Sequence, residues 1–112
     1  MADDEVAELE VDLESFASAH SAGAVVLDVR NPDEYEAGHV PGAKLIPLGE
    51  LGARQHDIPE GDPVYVICAV GGRSLAATKA MVQAGYRAVS VVGGTKGWIE
   101  QGRPVVLGMD ER

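Results

Sequence analysis

Val64-Tyr65-Val66-Ile67-Cys68-Ala69-Val70-Gly71-Gly72-Arg73-Ser74 reads as a strand, a tight loop and the start of a helix. The helical pattern runs from Ser74 to Ala84, with Ala77, Ala80, Met81 and Ala84 on one apolar stripe and Gly85 placed to end it. The chain's only cysteine stands where strand meets loop. Backbone N–H groups in such a loop converge on one point. The helix N-terminus adds partial positive charge and Arg73 a full one. An anion is favoured there, so the Cys68 thiol is expected to ionise more readily than a free cysteine.

Outward from this stretch the same alternation repeats. Ala24 to Val29 is a nearly unbroken apolar run, the pattern of a strand covered on both faces. Asn31-Pro32-Asp33-Glu34 opens a short helix that Gly38 closes. Ala43 to Ile46 is a short strand, followed by a helical turn at Leu48 to Leu51 and a polar loop from Gln55 to Pro63. Ala88 to Val92 is a further strand. Gly93-Gly94 breaks it, and Thr95 to Gln101 forms a last helix around Trp98. Upstream, Glu8 to Val11 fits an edge strand, and Asp12 caps a helix that Gly23 ends. The predicted fold is α/β, a mostly parallel central sheet flanked by helices on both faces. Residues 1–112 read as one domain, its ordered core spanning about residues 6–107. The tail from Gly108 to Arg112 is expected to fray. Ligands of such folds bind outside the carboxyl ends of the strands, where Asp28, Cys68 and Gly93 all fall.

Composition narrows the function. A formal net charge of -9 argues against nucleic acid and against an anionic membrane as partners. One cysteine excludes an internal disulfide and a cysteine-rich zinc site, and no cofactor or metal motif appears. Met1 to Leu13 is acidic and has no apolar core of a signal peptide, and no stretch is long enough to span a bilayer. A free thiol without an export signal is expected in a reducing cytoplasm.

Three blocks of residues together resemble the single-domain rhodaneses, over nearly the whole length. The first is Asp28-Val29-Arg30 with Glu34-Tyr35-Glu36-Ala37-Gly38-His39-Val40-Pro41-Gly42-Ala43. The second is the loop Cys68 to Ser74. The third is Gly93-Gly94-Thr95-Lys96-Gly97-Trp98, with Gly102-Arg103-Pro104-Val105 behind it. The resemblance implies a sulfurtransferase. A cysteine takes a sulfane sulfur from a small anionic donor such as thiosulfate, or from a protein persulfide. It carries the sulfur as its own persulfide and gives it to cyanide or a thiol. The resemblance makes Cys68 that cysteine, with no cofactor and no metal.

The residues around Cys68 then take expected roles. The backbone amides of Ala69, Val70, Gly71, Gly72 and Arg73 are expected to hold the persulfide, with Asp28 and Ser74 in support. Arg73 is expected either to clamp substrate or to pair with Glu34 or Asp28. Asp28 either orients the loop or caps nearby backbone donors. His39 reads as a turn histidine bonded to backbone, Trp98 as core, and His20 and His56 as surface. Gly71, Gly72, Gly93 and Gly94 are expected to supply backbone freedom, the first pair directly at the site. Other readings are a non-catalytic rhodanese-like interaction module and an oxyanion reductase or phosphatase. Four residues separate Cys68 from Arg73, against five in the related cell-cycle phosphatases, and a tighter loop suits one sulfur atom rather than a phosphate. Ala69 and Val70 also bring no side-chain donor, where many catalytic members of the family carry a basic or hydroxyl residue.

Overall fold

Alternating strands and helices build one parallel sheet in the computed structural model, which describes residues 9–112. The elements in chain order are β1 (Glu10–Val11), α1 (Leu13–Ser21), β2 (Val26–Asp28), α2 (Pro32–Ala37), β3 (Lys44–Leu45), β4 (Val64–Ile67), α3 (Gly72–Gln83), β5 (Ala88–Val91) and α4 (Gly94–Glu100). The strands lie in the order β1-β5-β4-β2-β3 and every pairing is parallel. Glu8 of the expected edge strand, and residues 6–8 of the expected core, lie outside the described residues.

The period-two alternation of the strands sorts the core into two layers. Leu27, Val64, Val66 and Ala88 face Ala77 and Met81 of α3. Val26, Ile67 and Val91 face the other way, onto Phe16 of α1, Tyr35 of α2 and Trp98 of α4. Burying a side chain of this size contributes about 1.5–3 kcal/mol, so the inward parity of each strand is strongly determined. The helix starts follow local chemistry. Asp12 Oδ1 accepts from the Ser15 amide at 2.7 Å, and Glu34 Oε1 accepts from the Asn31 amide at 3.1 Å, closing the first turn of α2.

Two expectations differ from the structure. The loop after Gln55 contains a 3-10 turn, Gln55–Asp57, and buries Ile58 at 8% exposure under the α3 layer. The tail is held rather than frayed. His39 and Val106 exchange backbone hydrogen bonds, the Gly108 amide donates to Glu36 O at 2.8 Å, and the Gly42 amide donates to Glu111 O at 2.6 Å. Its partners are all in the turn around His39, so nothing in the tail's own composition announces the docking. Among the described residues, no helix is long and apolar enough to cross a membrane.

Candidate active site

Val64, Val66 and Cys68 share one parity, so the cysteine at the end of β4 turns its side chain toward α3. β4 is central, with β2 and β5 as neighbours. The thiol is therefore roofed by α3 and flanked by two further strand ends, and Cys68 is 1% exposed. The amides of Gly71 and Ser74 donate to Sγ over 3.1 and 3.3 Å, and Sγ lies 3.3 Å from Ser74 Oγ. Burial pushes the thiol up. Hydrogen bonds from the Ser74 hydroxyl and from the amides of Ser74, Gly71 and Val70 outweigh burial, and the thiol is held below its ordinary value.

The first turn of α4 sets the orientation of the loop. Thr95 N donates to Cys68 O at 2.8 Å, Lys96 N to Ala69 O at 3.0 Å and Gly93 N to Val70 O at 3.3 Å. In a planar trans peptide the N–H points opposite to the C=O. With these three carbonyls drawn to α4, the amides of Ala69, Val70 and Gly71 face the other way, and that of Gly71 reaches Sγ. The Val70 amide, like those of Gly71 and Ser74, favours the charged sulfur, and no acceptor among the described residues meets the amides of Ala69, Gly72 and Arg73. Three donors without a protein acceptor thus accompany a thiol whose anionic form is favoured by its neighbours.

The glycines divide differently from expectation. Gly71 has φ +125°, which L side chains rarely adopt, and so needs its freedom. Gly72 opens α3 with ordinary backbone, and a Cβ there would meet nothing within 4 Å. Gly94 is the tightest position. Its φ is +57°, and a Cβ would stand 2.5 Å from the carbonyl oxygens of both Cys68 and Ala69. The second glycine pair, not only the first, therefore shapes the site.

Arg73 pairs with Glu34, not Asp28. Its Nη1 and Nη2 donate to Oε1 and Oε2 at 2.7 and 2.9 Å, a bidentate pair that joins the first turns of α2 and α3. The Arg73 guanidinium holds the Glu34 carboxyl down at about 2. Among the described residues, the Asp28 carboxylate accepts no hydrogen bond from the loop. Fully buried, it accepts from the Arg30 amide and from Arg30 Nε and Nη2, and Arg30 Nη2 also donates to Gly38 O at 2.9 Å. Asp28 and Arg30 thus fix the turn from β2 into α2, the helix that carries Glu34. Each ring nitrogen of His39 lies within hydrogen-bonding distance of a backbone carbonyl, Tyr35 O at 2.8 Å and Asp110 O at 2.7 Å, and the ring stacks on Tyr35. His20 is half-buried, with Nε2 2.7 Å from Pro41 O and its ring edge-on to Trp98. His56 is exposed.

Sequence reasoning missed two contributors. The amides of Thr95 and Lys96 act through backbone alone and leave no side-chain signature. Ser90 is fully buried in β5 with Oγ 2.7 Å from Ser74 Oγ. A hydroxyl at an inward position of the run Ala88-Val89-Ser90-Val91 was its one visible signal.

The rhodanese-like domain family model matches residues 12–101, and the chain belongs to that family. A sulfurtransferase of Allochromatium vinosum is 32% identical over 100 residues, covering 87% of this chain and 94% of its own length. The putative sulfur carrier protein YrkF of Bacillus subtilis is 39% identical over 92 residues, 80% of this chain, which spans half of that relative's length. A crystal structure of a rhodanese-related protein from Thermoplasma volcanium superposes with a TM-score of 0.81 at 37% identity, covering 88% of this chain and 97% of the other.

Proposed function

We propose that this protein is a sulfurtransferase that carries sulfane sulfur as a persulfide on Cys68. The observation that carries the reading is the set of three donor amides without a protein acceptor, those of Ala69, Gly72 and Arg73, beside a buried thiol of lowered pKa. A cysteine serving only as core would need neither. In the first half-reaction the Cys68 thiolate attacks the outer sulfur of a donor persulfide, R–S–S⁻. The donor's S–S bond breaks and its electron pair leaves on R–S⁻. The outer sulfur on Cys68 is then anionic, and the amides of Ala69, Val70, Gly72 and Arg73 stabilise it as an oxyanion hole stabilises oxygen. In the second half-reaction an acceptor thiolate attacks that sulfur, and the electron pair of the breaking bond returns to Sγ. The lowered thiol pKa favours the ionised nucleophile, so the reading assigns no residue as general base. The matched relatives that are named as a sulfurtransferase and as a sulfur carrier support this class of chemistry.

The donor we favour is a protein or small-thiol persulfide. Val70, at the mouth of the loop, is apolar and 61% exposed, a surface on which a donor's body can rest. The acceptor is a thiol, or cyanide in an assay, and the chemistry fits a reducing cytoplasm. The test is sulfur transfer from a small persulfide to a thiol acceptor, run beside hydrolysis of an aryl phosphate. Wild type is expected to transfer sulfur and Cys68→Ser to lose all of it, with no phosphate hydrolysis above the Cys68→Ser background. Cys68-dependent phosphatase activity without sulfur transfer would overturn the reading.

A further inference from the structure

The hydroxyls of Ser74 and Ser90 form a buried pair behind the thiol. Both residues are 0% exposed, and their Oγ atoms are 2.7 Å apart. Ser74 Oγ also lies 3.1 Å from Gly71 O and 3.3 Å from Cys68 Sγ. Each hydroxyl has one proton to give. Among the described residues, Ser90 Oγ has no partner but Ser74. If Ser74 donated to Ser90, the Ser90 proton would be buried without an acceptor and lose its hydration uncompensated. The reverse direction satisfies every group. Ser90 donates to Ser74, and the Ser74 proton then has two acceptors, Gly71 O and Sγ.

Which acceptor wins depends on the charge of the sulfur. A neutral thiol donates its own proton to Ser74 Oγ, and the Ser74 proton goes to Gly71 O. A thiolate has no proton and is the stronger acceptor, so the Ser74 proton turns to Sγ. We propose that Ser90 is a positioning residue: by donating to Ser74 Oγ it orients and polarises that hydroxyl, which makes it the stronger donor to Cys68 Sγ whenever that sulfur is a thiolate. The proposal rests on the sulfurtransferase reading for its place in the reaction. When the acceptor thiolate takes the outer sulfur, the Sγ–S bond breaks, its electron pair passes to Sγ, and Ser74 stabilises the departing thiolate. Ser90 touches no substrate and acts only through Ser74.

The test is the pH dependence of Cys68 alkylation by iodoacetamide, which does not depend on sulfur transfer. Ser90→Ala is expected to raise the midpoint by about 0.5–1 pH unit, a roughly three- to tenfold loss of thiolate below it. Ser90→Thr, which keeps the hydroxyl, is expected to restore the wild-type midpoint. Thr78→Val is the control: Thr78, one turn along α3 from Ser74, is equally buried and its Oγ1 has no hydrogen-bond partner among the described residues, so its removal is expected to leave the midpoint in place. In a Ser74→Ala background, Ser90→Ala is expected to add nothing. A folded Ser90→Ala with the wild-type midpoint would overturn the proposal, as would the same shift with Ser74 absent. A shifted midpoint in a protein that never accepts sulfur supports the positioning role and counts against the proposed function alone.

Discussion

Cys68 combines two opposed influences, and neighbouring donors decide between them. Burial alone would keep the thiol neutral, but the amides of Gly71 and Ser74 and the Ser74 hydroxyl favour the anion. The group is an acid held below its unfolded value. Its contribution to stability is therefore present above the unfolded pKa and lost as pH falls through the folded one. Gly94 protects the arrangement, because any side chain would strike the two carbonyls that turn the loop amides inward. Gly94→Ala is expected to lower both the melting temperature and the rate of Cys68 alkylation. Gly72→Ala, in open space at the start of α3, is expected to raise the melting temperature through about 0.4–1 kcal/mol of stabilisation. Calorimetry and alkylation on the two variants check this. A neutral Gly94→Ala would show that the loop does not depend on its contact with α4.

Between elements, the Arg73–Glu34 pair joins the first turns of α2 and α3 across the site. Its side chains are 36% and 30% exposed, so it belongs with partly solvated ion pairs and contributes about 1 kcal/mol. Each Nη atom of Arg73 donates to Glu34, which favours a role in holding the loop over one in clamping substrate. Arg73→Ala and Glu34→Ala are each expected to lower the melting temperature by about 4 °C, and the double variant by little more than either. Because the Glu34 carboxyl is depressed to about 2, the contribution is intact above the unfolded carboxylate range and is lost as pH falls through it toward 2. An unchanged melting temperature with a raised KM in Arg73→Ala would instead make it a substrate clamp. At this scale much was legible in the sequence. The run from Val64, the glycine loop and the spacing of Ala77 and Met81 located β4, the Cys68 loop and α3, because apolar period and glycine placement are local signals. Ala80 and Ala84 of the expected stripe are instead exposed, and the buried face is completed by Ser74 and Thr78. The partner of Asp28 was not legible. It depends on how Arg30 folds back two residues along, and local pattern treats Glu34, Asp28 and Arg30 alike. Nor was the docked tail, whose hydrogen bonds join residues 106–111 to residues 36–42.

Across the whole molecule, a formal net charge of -9 surrounds the site proposed to hold an anionic persulfide. Local donors and the distant field act in opposite directions, and salt screens the field over about 8–10 Å. A free dianion such as thiosulfate is repelled on approach and finds no side-chain donor on Ala69 or Val70. Its specificity constant is expected to be smaller than that of a small-thiol persulfide and to rise on adding moderate salt. A larger thiosulfate constant that falls with salt would reveal a local positive field stronger than the overall charge. Sulfur carried on Cys68 is bound covalently, and mass reads it without any assumption about partners. Intact mass after incubation with a low-molecular-weight persulfide is predicted to rise by one sulfur atom in wild type, to return to its starting value with dithiothreitol, and to stay constant in Cys68→Ser. A wild-type mass that does not change with either that persulfide or thiosulfate would contradict the account.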